Sequence, residues 1–199
     1  MIYWYYTRLL GLFSFFILLN FGVIGCGDGH VRNIKDYRFH IVGPADDQRR
    51  SQIEALIQRF NDNVGFKRLS LVDKSGEGAN SFISFREGIL ISEGKIGYGQ
   101  WTKSKKEKFS TKSFKNDLEI EHGMNLEFDL DFFRSGMNAP PHSVEQKNLF
   151  LLFCHEVGHG LEKDHSIEED DVMYPSIGEE KKINFDQFFS EVRFYLQDS

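Results

Sequence analysis

Cysteine is scarce in this chain of 199 residues, which has only Cys26 and Cys154. Cys26 stands at the end of an apolar N-terminal run, so the remainder of the chain contains a single cysteine. We therefore expect no disulfide within the folded domain. Its stability must come from an apolar core, with a bound metal as the other candidate contribution.

A surplus of basic residues is also missing. The chain has 24 Lys and Arg against 30 Asp and Glu, a formal net charge of −6, and its charges are scattered. Without a basic stripe, nucleic acid is not an expected partner. The chain is not poor in hydrophobic residues either, since they make up 40% of it and 20 residues are Phe. This composition excludes a disordered chain. The length suits one compact domain.

The N-terminus is nearly free of charge. Arg8 is its one charged residue before Asp28, and residues 9–24 are almost wholly apolar, as in an export signal. The following Val23-Ile24-Gly25-Cys26 resembles a bacterial lipobox. This resemblance implies a lipoprotein signal peptide at residues 1–25, a lipidated Cys26, and a membrane anchor that faces the periplasm or the cell exterior. An uncleaved transmembrane anchor and a plain cleaved signal are the alternatives, and each also exports the domain.

The rest of the chain divides into a lipidated Cys and tether at 26–36 and one folded domain at 37–199. Alternating and amphipathic patterns predict three helices, at 46–63, 143–161 and 184–196, with Ser143 as a cap. They predict short strands at 37–42, 67–72, 81–85, 89–91, 95–101 and 124–132, and the lysine-rich segment 102–115 is predicted to be a solvated loop. Since strands and helices are largely segregated, the fold class is α+β.

Two histidines lie four residues apart in the long predicted helix. His155 and His159 therefore project from one face about a turn apart, where both imidazoles can bind one zinc ion. Glu156 is offset by about 100° around the helix, so it can reach a water on the metal without being a ligand. This spacing predicts a zinc site with its own general base.

A third histidine completes the set. His165 follows His155 by ten residues, far enough for the chain to leave the helix and bring another imidazole to the metal. A catalytic zinc takes three protein ligands and keeps one position open for water, so we expect one catalytic Zn²⁺. The rivals for the third position are Asp164, Glu168 and Glu169.

The segment from His155 to Ser166, followed by Met173-Tyr174-Pro175, resembles the metzincin signature with its Met-turn and is most similar to the matrixins. The close resemblance covers residues 148–177. It implies a single zincin-like catalytic domain at 37–199. The implied architecture is a mixed, mostly parallel sheet with an edge strand, a long active-site helix, a Met-turn and a C-terminal helix.

The resemblance also implies an activity, that of a zinc endopeptidase acting on proteins or peptides. In this chemistry zinc polarises the scissile carbonyl and acidifies its bound water, while Glu156 is the general base. Met173 would form an apolar floor below the metal. Leu151, Tyr174 and Pro175 would line the pocket for an apolar residue just after the cleaved bond.

The strand at 95–101, with Gly97 and Gly99, resembles the edge strand that pairs with extended substrate in this clan. Its glycines would let another chain approach closely, and an ordinary strand with bulges is the alternative. Glu162 stands where the family has a glycine at a sharp turn. A positive φ at a non-glycine residue costs about 1 kcal/mol, and Gly160 could instead end the helix earlier.

Further metal ions have little support in the sequence. Glu127 replaces the histidine that helps bind a structural zinc in the family, so a second zinc is not expected. Calcium at Asp129 or Asp131 has no motif in its favour. Two other functions stay open: an exported zinc-binding pseudoprotease or binding lipoprotein without turnover, and a zinc hydrolase acting on a non-peptide bond. The intact Glu156 disfavours the first of these and the Met-turn disfavours the second.

Overall fold

The computed structural model describes residues 31–43, 46–88, 96–110, 115–177 and 182–197. The predicted signal peptide, Cys26 and the predicted strand at 89–91 lie outside these residues. Contacts between Cα atoms divide the chain into a larger unit, residues 33–105 and 120–199, and a smaller one, residues 1–32 and 106–119. Of the helices within the described ranges, none has the length and apolar character needed to cross a membrane.

Six strands and four helices follow one another along the described chain. In order they are β1 (Val31–Ile34), β2 (Tyr37–Ile41), α1 (Asp47–Val64), β3 (Leu69–Leu71), β4 (Ser81–Arg86), β5 (Gly97–Ser110), β6 (Lys115–Asp129), α2 (Leu130–Asn138), α3 (Val144–Gly160) and α4 (Phe185–Gln197). The predicted α+β class is confirmed by this order. Strand β1 lies within the segment 26–36 that the sequence predicts to be a tether.

The sheet is mostly parallel, as predicted. Its order is β1-β6-β4-β2-β3, and β5 also pairs with β6. Strand β2 is parallel to both β3 and β4, and β4 is parallel to β6, with Phe82 opposite Asn125 and Phe85 opposite Phe128. Only four residues separate β5 from β6, which is too short for a parallel crossover, so this pair is antiparallel.

Local sequence explains where the helices begin and end. The Asp46 side chain accepts a hydrogen bond from the Arg49 N–H at the start of α1, and Gly65 closes that helix in a left-handed conformation with φ 90°. Ser143 caps α3 by accepting from the Gln146 N–H. Each cap satisfies a backbone group that the helix would otherwise leave without a partner.

Helix α3 is the centre of the core and is buried on almost every side. Phe153 of α3 stacks on Phe128 of β6 with 6.3 Å between ring centroids, and it meets Phe60 of α1 edge-on at 6.2 Å. Phe150 stacks on Phe189 of α4. Fully burying a phenylalanine is worth roughly 1.5–3 kcal/mol, so these aromatic contacts hold α3 firmly between the sheet and two other helices.

The prediction that 102–115 is a loop is wrong, because β5 runs on to Ser110 and β6 begins at Lys115. Lysine is a poor strand former, but it is common on exposed strands, and pairing along the strands satisfies the backbone polar groups. The charged composition therefore did not exclude a strand.

The predicted strand at 124–132 also ends too late, since β6 stops at Asp129 and α2 follows at once. The Asp129 side chain accepts from the N–H groups of Asp131 and Phe132, both at 3.0 Å, and so caps α2. The signal for this helix was present in the sequence: an Asp followed by apolar residues at Leu130 and Phe133, three positions apart.

Candidate active site and metal centre

Helix α3 places two histidines side by side at its C-terminal end. The ring centroids of His155 and His159 are 4.8 Å apart, and the ring planes are perpendicular. His155 is buried, whereas His159 is half-buried and faces a cleft. This arrangement follows from the helix itself, because residues four apart lie on one face.

The loop after α3 brings the third histidine to the same place. The centroid of the His165 ring is 4.7 Å from that of His159 and 5.3 Å from that of His155. The Nε2 atoms of His159 and His165 are 3.2 Å apart. Within the described residues, these three histidines alone form a group with metal-ligand geometry, their ligand atoms lying within 4.8 Å of one another. Asp164, Glu168 and Glu169, the predicted rivals, are not part of it.

The turn that delivers His165 is made at Glu162, whose φ of 64° is in the left-handed region. The helix does end at Gly160, as the alternative prediction allows, but Gly160 does not take over the left-handed conformation, since it is helical and makes room for packing instead. A Cβ on Gly160 would lie 2.7 Å from the Met124 sulfur of β6. A hydrogen bond from the Lys163 N–H to the Gly158 carbonyl, 3.0 Å, closes the turn.

Backbone carbonyls fix the orientation of both helical histidines. Nδ1 of His155 donates to the Val172 oxygen at 2.8 Å, and Nδ1 of His159 donates to the Lys163 oxygen at 2.9 Å. A carbonyl can only accept, so each Nδ1 carries the proton and each Nε2 offers its lone pair. Burial lowers the pKa of His155 to about 4 and also lowers the pKa of His159, which keeps both rings neutral near pH 7.

These donors fit a tetrahedral zinc ion. With Zn–N bonds of 2.0–2.1 Å, the ligand nitrogens of such a site are about 3.3 Å from one another, close to the separation of the His159 and His165 Nε2 atoms. Carbonyl partners on the second nitrogen are the usual support for histidine ligands. His155, His159 and His165 can therefore hold one zinc and leave a fourth position open.

The Met-turn lies directly below the helical histidines. Met173 is buried, its N–H donates to the Asp171 carboxylate at 2.7 Å, and its carbonyl accepts from the Ser166 N–H at 3.0 Å. The Met173 side chain packs against Gly158, where an added Cβ would be 3.0 Å from the Met173 Cε and still closer to the sulfur. The Met173 sulfur thus lies against helix α3 at Gly158, a residue between His155 and His159 in the chain.

Glu156 lies beside the three histidines and is almost completely buried, with 4% of its surface exposed. This burial raises the pKa of its carboxyl to about 8 in the metal-free chain. A carboxyl with a pKa close to neutrality can both accept and return a proton, which is the requirement for a general base that later acts as an acid.

A cavity of about 420 Å³ contains these groups. Strand β5, helix α3 and the segment after the Met-turn line it, with Ile96, Gly97, Tyr98, Gly99, Leu152, His155, Glu156, His159, His165, Pro175 and Ile177. Pro175, one of the three residues predicted to line the substrate pocket, lines this cavity. Leu151 and Tyr174 are not among the lining residues, and Leu152 and Ile177 are.

Helix geometry explains why Leu152 rather than Leu151 lines the cavity. At about 100° per residue, Leu152, His155, His159 and Glu156 fall in one sector of α3 roughly 100° wide. Leu151 lies about 40° outside that sector and is buried in the core. The sequence contained this signal, because Leu152 is on the predicted histidine face.

Glu127 and Asp129, two residues considered for further metal ions, have other contacts in the structure. Glu127 pairs with Arg86 at 2.6 Å and accepts from the Ser84 hydroxyl at 3.3 Å. Asp129 is buried at the start of α2, and one of its two oxygens caps that helix. The other oxygen of Asp129, Oδ2, is buried and has no hydrogen-bond partner among the described residues.

The fold is α+β and metzincin-like. Its defining features are the mostly parallel sheet, the long helix with two histidines, the third histidine on the following loop and the buried methionine. The family model described as Matrixin matches residues 95–188, so the predicted resemblance to the matrixins is confirmed. The chain is also similar to the crystal structure of an archaemetzincin from Methanopyrus kandleri, at 8% identity and a TM-score of 0.46, over 88% of this chain and 99% of that one. No curated protein matches the chain. The matrixin match supports a zinc metallopeptidase.

Proposed function

We propose that the chain is a zinc-dependent endopeptidase with Glu156 as its general base. One observation carries this proposal: three histidine donors converge beside a buried carboxyl, in a cavity open to a ligand. A zinc ion held only for stability has no use for such a carboxyl or for an open position.

When bound by His155, His159 and His165, zinc would supply Lewis-acid polarisation of the scissile carbonyl and of water. Beside that positive charge the Glu156 carboxyl is ionised at neutral pH, because a nearby cation favours the carboxylate. Glu156 then takes a proton from the attacking water at one carboxylate oxygen and returns it to the leaving amine. Its low solvent exposure keeps this proton from exchanging with bulk water.

The cavity walls favour an apolar side chain on the substrate. Leu152, Pro175 and Ile177 contribute apolar surface, as do Ile96, just before β5, and Tyr98 on β5. Hydrophobic pockets discriminate modestly, by roughly 1–3 kcal/mol per methylene. We therefore propose that the chain prefers an apolar residue next to the cleaved bond but does not require one particular cleavage sequence.

Export and membrane attachment form the other part of the proposal. Their support is the apolar run at 9–24 and the lipobox-like residues that end in Cys26. A single acyl chain binds membranes reversibly, whereas two or more chains give stable attachment. Mass spectrometry of the chain from a bacterial membrane fraction tests this part. An acylated Cys26 at the N-terminus is expected, and an intact Met1 would contradict it.

The peptidase proposal is tested by incubating the zinc-loaded full-length chain with an unbiased peptide mixture. Glu156→Gln preserves the size of the side chain but removes the base, so new peptide ends should appear with the wild type and disappear with this variant. Glu127→Gln, which changes an ion-paired glutamate on β6, is the matched control and should cleave like the wild type.

The alternative is an exported zinc-binding protein without turnover. The Glu156 carboxyl is buried and its pKa is raised, which disfavours this alternative, because a binding protein does not need a base beside its metal. A chain that binds one zinc and retains peptides but produces no new ends would establish this alternative. Cleavage that persists in Glu156→Gln would remove the assignment of the base.

A further inference from the structure

Strand β5 contacts helix α3 through its backbone at the position of the general base. A Cβ added to Gly97 would lie 2.5 Å from Oε1 of Glu156, 2.9 Å from its Cδ and 2.9 Å from Cδ1 of Leu152. Real Cβ atoms do not come that close to other atoms. The carboxyl of Glu156 therefore occupies the space that any side chain at residue 97 would need.

The glycine at 97 is required for space rather than for backbone conformation. The glycines with positive φ are elsewhere in the described chain, at Gly43, Gly65, Gly76, Gly78 and Gly88. Alanine could adopt the backbone angles of residue 97 without strain. Only its methyl group would be out of place.

The wall formed by Gly97 is fixed at the neighbouring residue. The Asp129 N–H donates to the Ile96 carbonyl at 3.0 Å, which joins the start of β5 to the end of β6. Asp129 itself is buried and caps α2. The strand cannot easily retreat, so an added methyl would displace the flexible carboxyl of Glu156 instead.

The Glu156 carboxyl makes no hydrogen bond with the described residues, and burial is the one cause of its raised pKa. Among the described residues, its direction is therefore limited by the close approach of Gly97 on the β5 side. Most catalytic carboxylates are aimed by hydrogen bonds, which resist displacement. Here a steric wall takes over that role.

We propose that Gly97 is a positioning residue for the general base, and that its missing side chain determines where the Glu156 carboxyl lies in the cavity. This inference rests on the proposed peptidase function for its catalytic consequence. Gly99 differs, because a Cβ there would meet the backbone of Glu156, 2.9 Å from its carbonyl carbon and closer to the oxygen. Gly99 sets the distance between strand and helix, and Gly97 sets the position of one side chain.

The two glycines therefore make a matched pair of variants on one strand. In the full-length chain, Gly97→Ala should lower kcat by about 10- to 100-fold, the effect of misplacing a catalytic group by about 1 Å. KM and the affinity for zinc, measured against a chromophoric chelator, should stay close to wild type because the three histidines are not moved. Gly99→Ala should instead lower Tm and weaken zinc binding, since the helix that carries two ligands must shift.

A stability cycle tests the contact without any use of activity. Gly97→Ala should lower Tm in the wild type and have a smaller effect in the Glu156→Ala background, where the carboxyl atoms that the methyl meets are gone and only the contact with Leu152 remains. A crystal structure of Gly97→Ala should show Glu156 turned away from β5. If the wild type cleaves no peptide, the peptidase proposal fails, and the cycle alone decides whether Gly97 positions Glu156.

Two results would overturn the inference. One is an equal change in Tm in the two backgrounds, which would show that the methyl does not meet Glu156. The other is a fall in zinc affinity that matches the fall in kcat, which would make Gly97 a general structural residue like Gly99. Should Gly97→Ala not fold in the wild-type background, a folded Gly97→Ala/Glu156→Ala variant would set a lower bound on the coupling, and an unfolded one would contradict the inference.

Discussion

Helix α3 and the loop at 161–177 each carry candidate metal ligands, but they position them by different means. The helix sets His155 and His159 by its own repeat and by burial on nearly every side. The loop carries His165 at an exposed position and depends on a few backbone hydrogen bonds, including those from Ser166 to Met173 and from Asn184 to Asp170. The positions of two candidate ligands thus follow from local structure, and the position of the third depends on the tertiary structure.

The two regions nevertheless support one another. The Val172 carbonyl of the loop orients His155 of the helix, and the Lys163 carbonyl orients His159. Lys163 is in turn ion-paired with Glu191 of α4. Loss of the metal should therefore loosen the loop first and leave the helix in place, because local opening begins where few apolar contacts are made.

The largest expected effect concerns the buried carboxyl on the helix, in the metal-free protein. Its folded pKa of about 8 lies above the ordinary 4.5, so the folded state keeps a proton that the unfolded state releases above pH 4.5. The stability from this group is complete below pH 4.5 and disappears as the pH rises through 8. Glu156→Gln removes this pH dependence. The difference in the free energy of unfolding between this variant and wild type should therefore shift in favour of the variant by on the order of a few kcal/mol between pH 4.5 and pH 8.

Urea unfolding of both metal-free proteins between pH 4.5 and 9 measures this difference, with Glu127→Gln as the control. His155 works in the opposite direction in both proteins. Its lowered pKa of about 4 makes stability fall as the pH drops from 6.5 to 4, so it cancels from the comparison. A constant difference between wild type and Glu156→Gln across this range would contradict the prediction.

The second prediction targets the contact between the two regions at Gly158. Gly158→Ala places a methyl against the Met173 side chain and 3.3 Å from the Phe188 ring. Overpacking of this kind costs about 1–3 kcal/mol, and the displaced Met-turn should weaken zinc binding by about 10- to 100-fold. Chelator competition and thermal melting measure both effects. Adding Met173→Ala should restore part of the zinc affinity, and no restoration would place the clash elsewhere.

The third prediction separates the loop from the helix. Asp171→Ala removes the acceptor of the Met173 N–H, so the neighbouring Val172 carbonyl loses its fixed position beside His155. Zinc affinity should fall by about tenfold, the lower end of the effects seen when a ligand loses its outer partner. Asp171→Asn keeps an oxygen acceptor and should retain most of the affinity. Equal losses in both variants would show that charge, and not the hydrogen bond, matters at this position.

The smallest effect is expected at the turn between the two regions. Glu162→Gly relieves a left-handed conformation at a non-glycine residue, and the net gain in stability should be no more than about 1 kcal/mol, since glycine adds freedom to the unfolded chain. Urea unfolding measures this gain, and Glu168→Gly in the same loop is the control that should lose stability. A destabilised Glu162→Gly would mean that the glutamate side chain has a stabilising contact larger than the strain.

The contrast between local structure, as in helix α3, and tertiary structure, as in the loop at 161–177, explains how much the sequence could predict. The three histidines, the base and the helices α1, α3 and α4 follow from spacing, caps and apolar periodicity, all of which act over a few residues. Strand β5 beyond Trp101 and the lining of the cavity by Ile177 depend on which strands pair and how the loop returns, and no local pattern encodes these. The contact of Gly97 with Glu156 joins residues 59 positions apart in the chain, and the sequence suggested only that the glycines allow a close approach.

The hydrogen bond from His155 to Val172 has a consequence for competition between protons and metal. A histidine in a free peptide must lose a proton before it can bind zinc below about pH 6.5, so protons compete with the ion there. In the folded chain the pKa of His155 is about 4 and its proton is already on Nδ1, so zinc meets a lone pair that is ready. At His155, protons should consequently compete with zinc less in the folded chain than in an unfolded segment with the same residues.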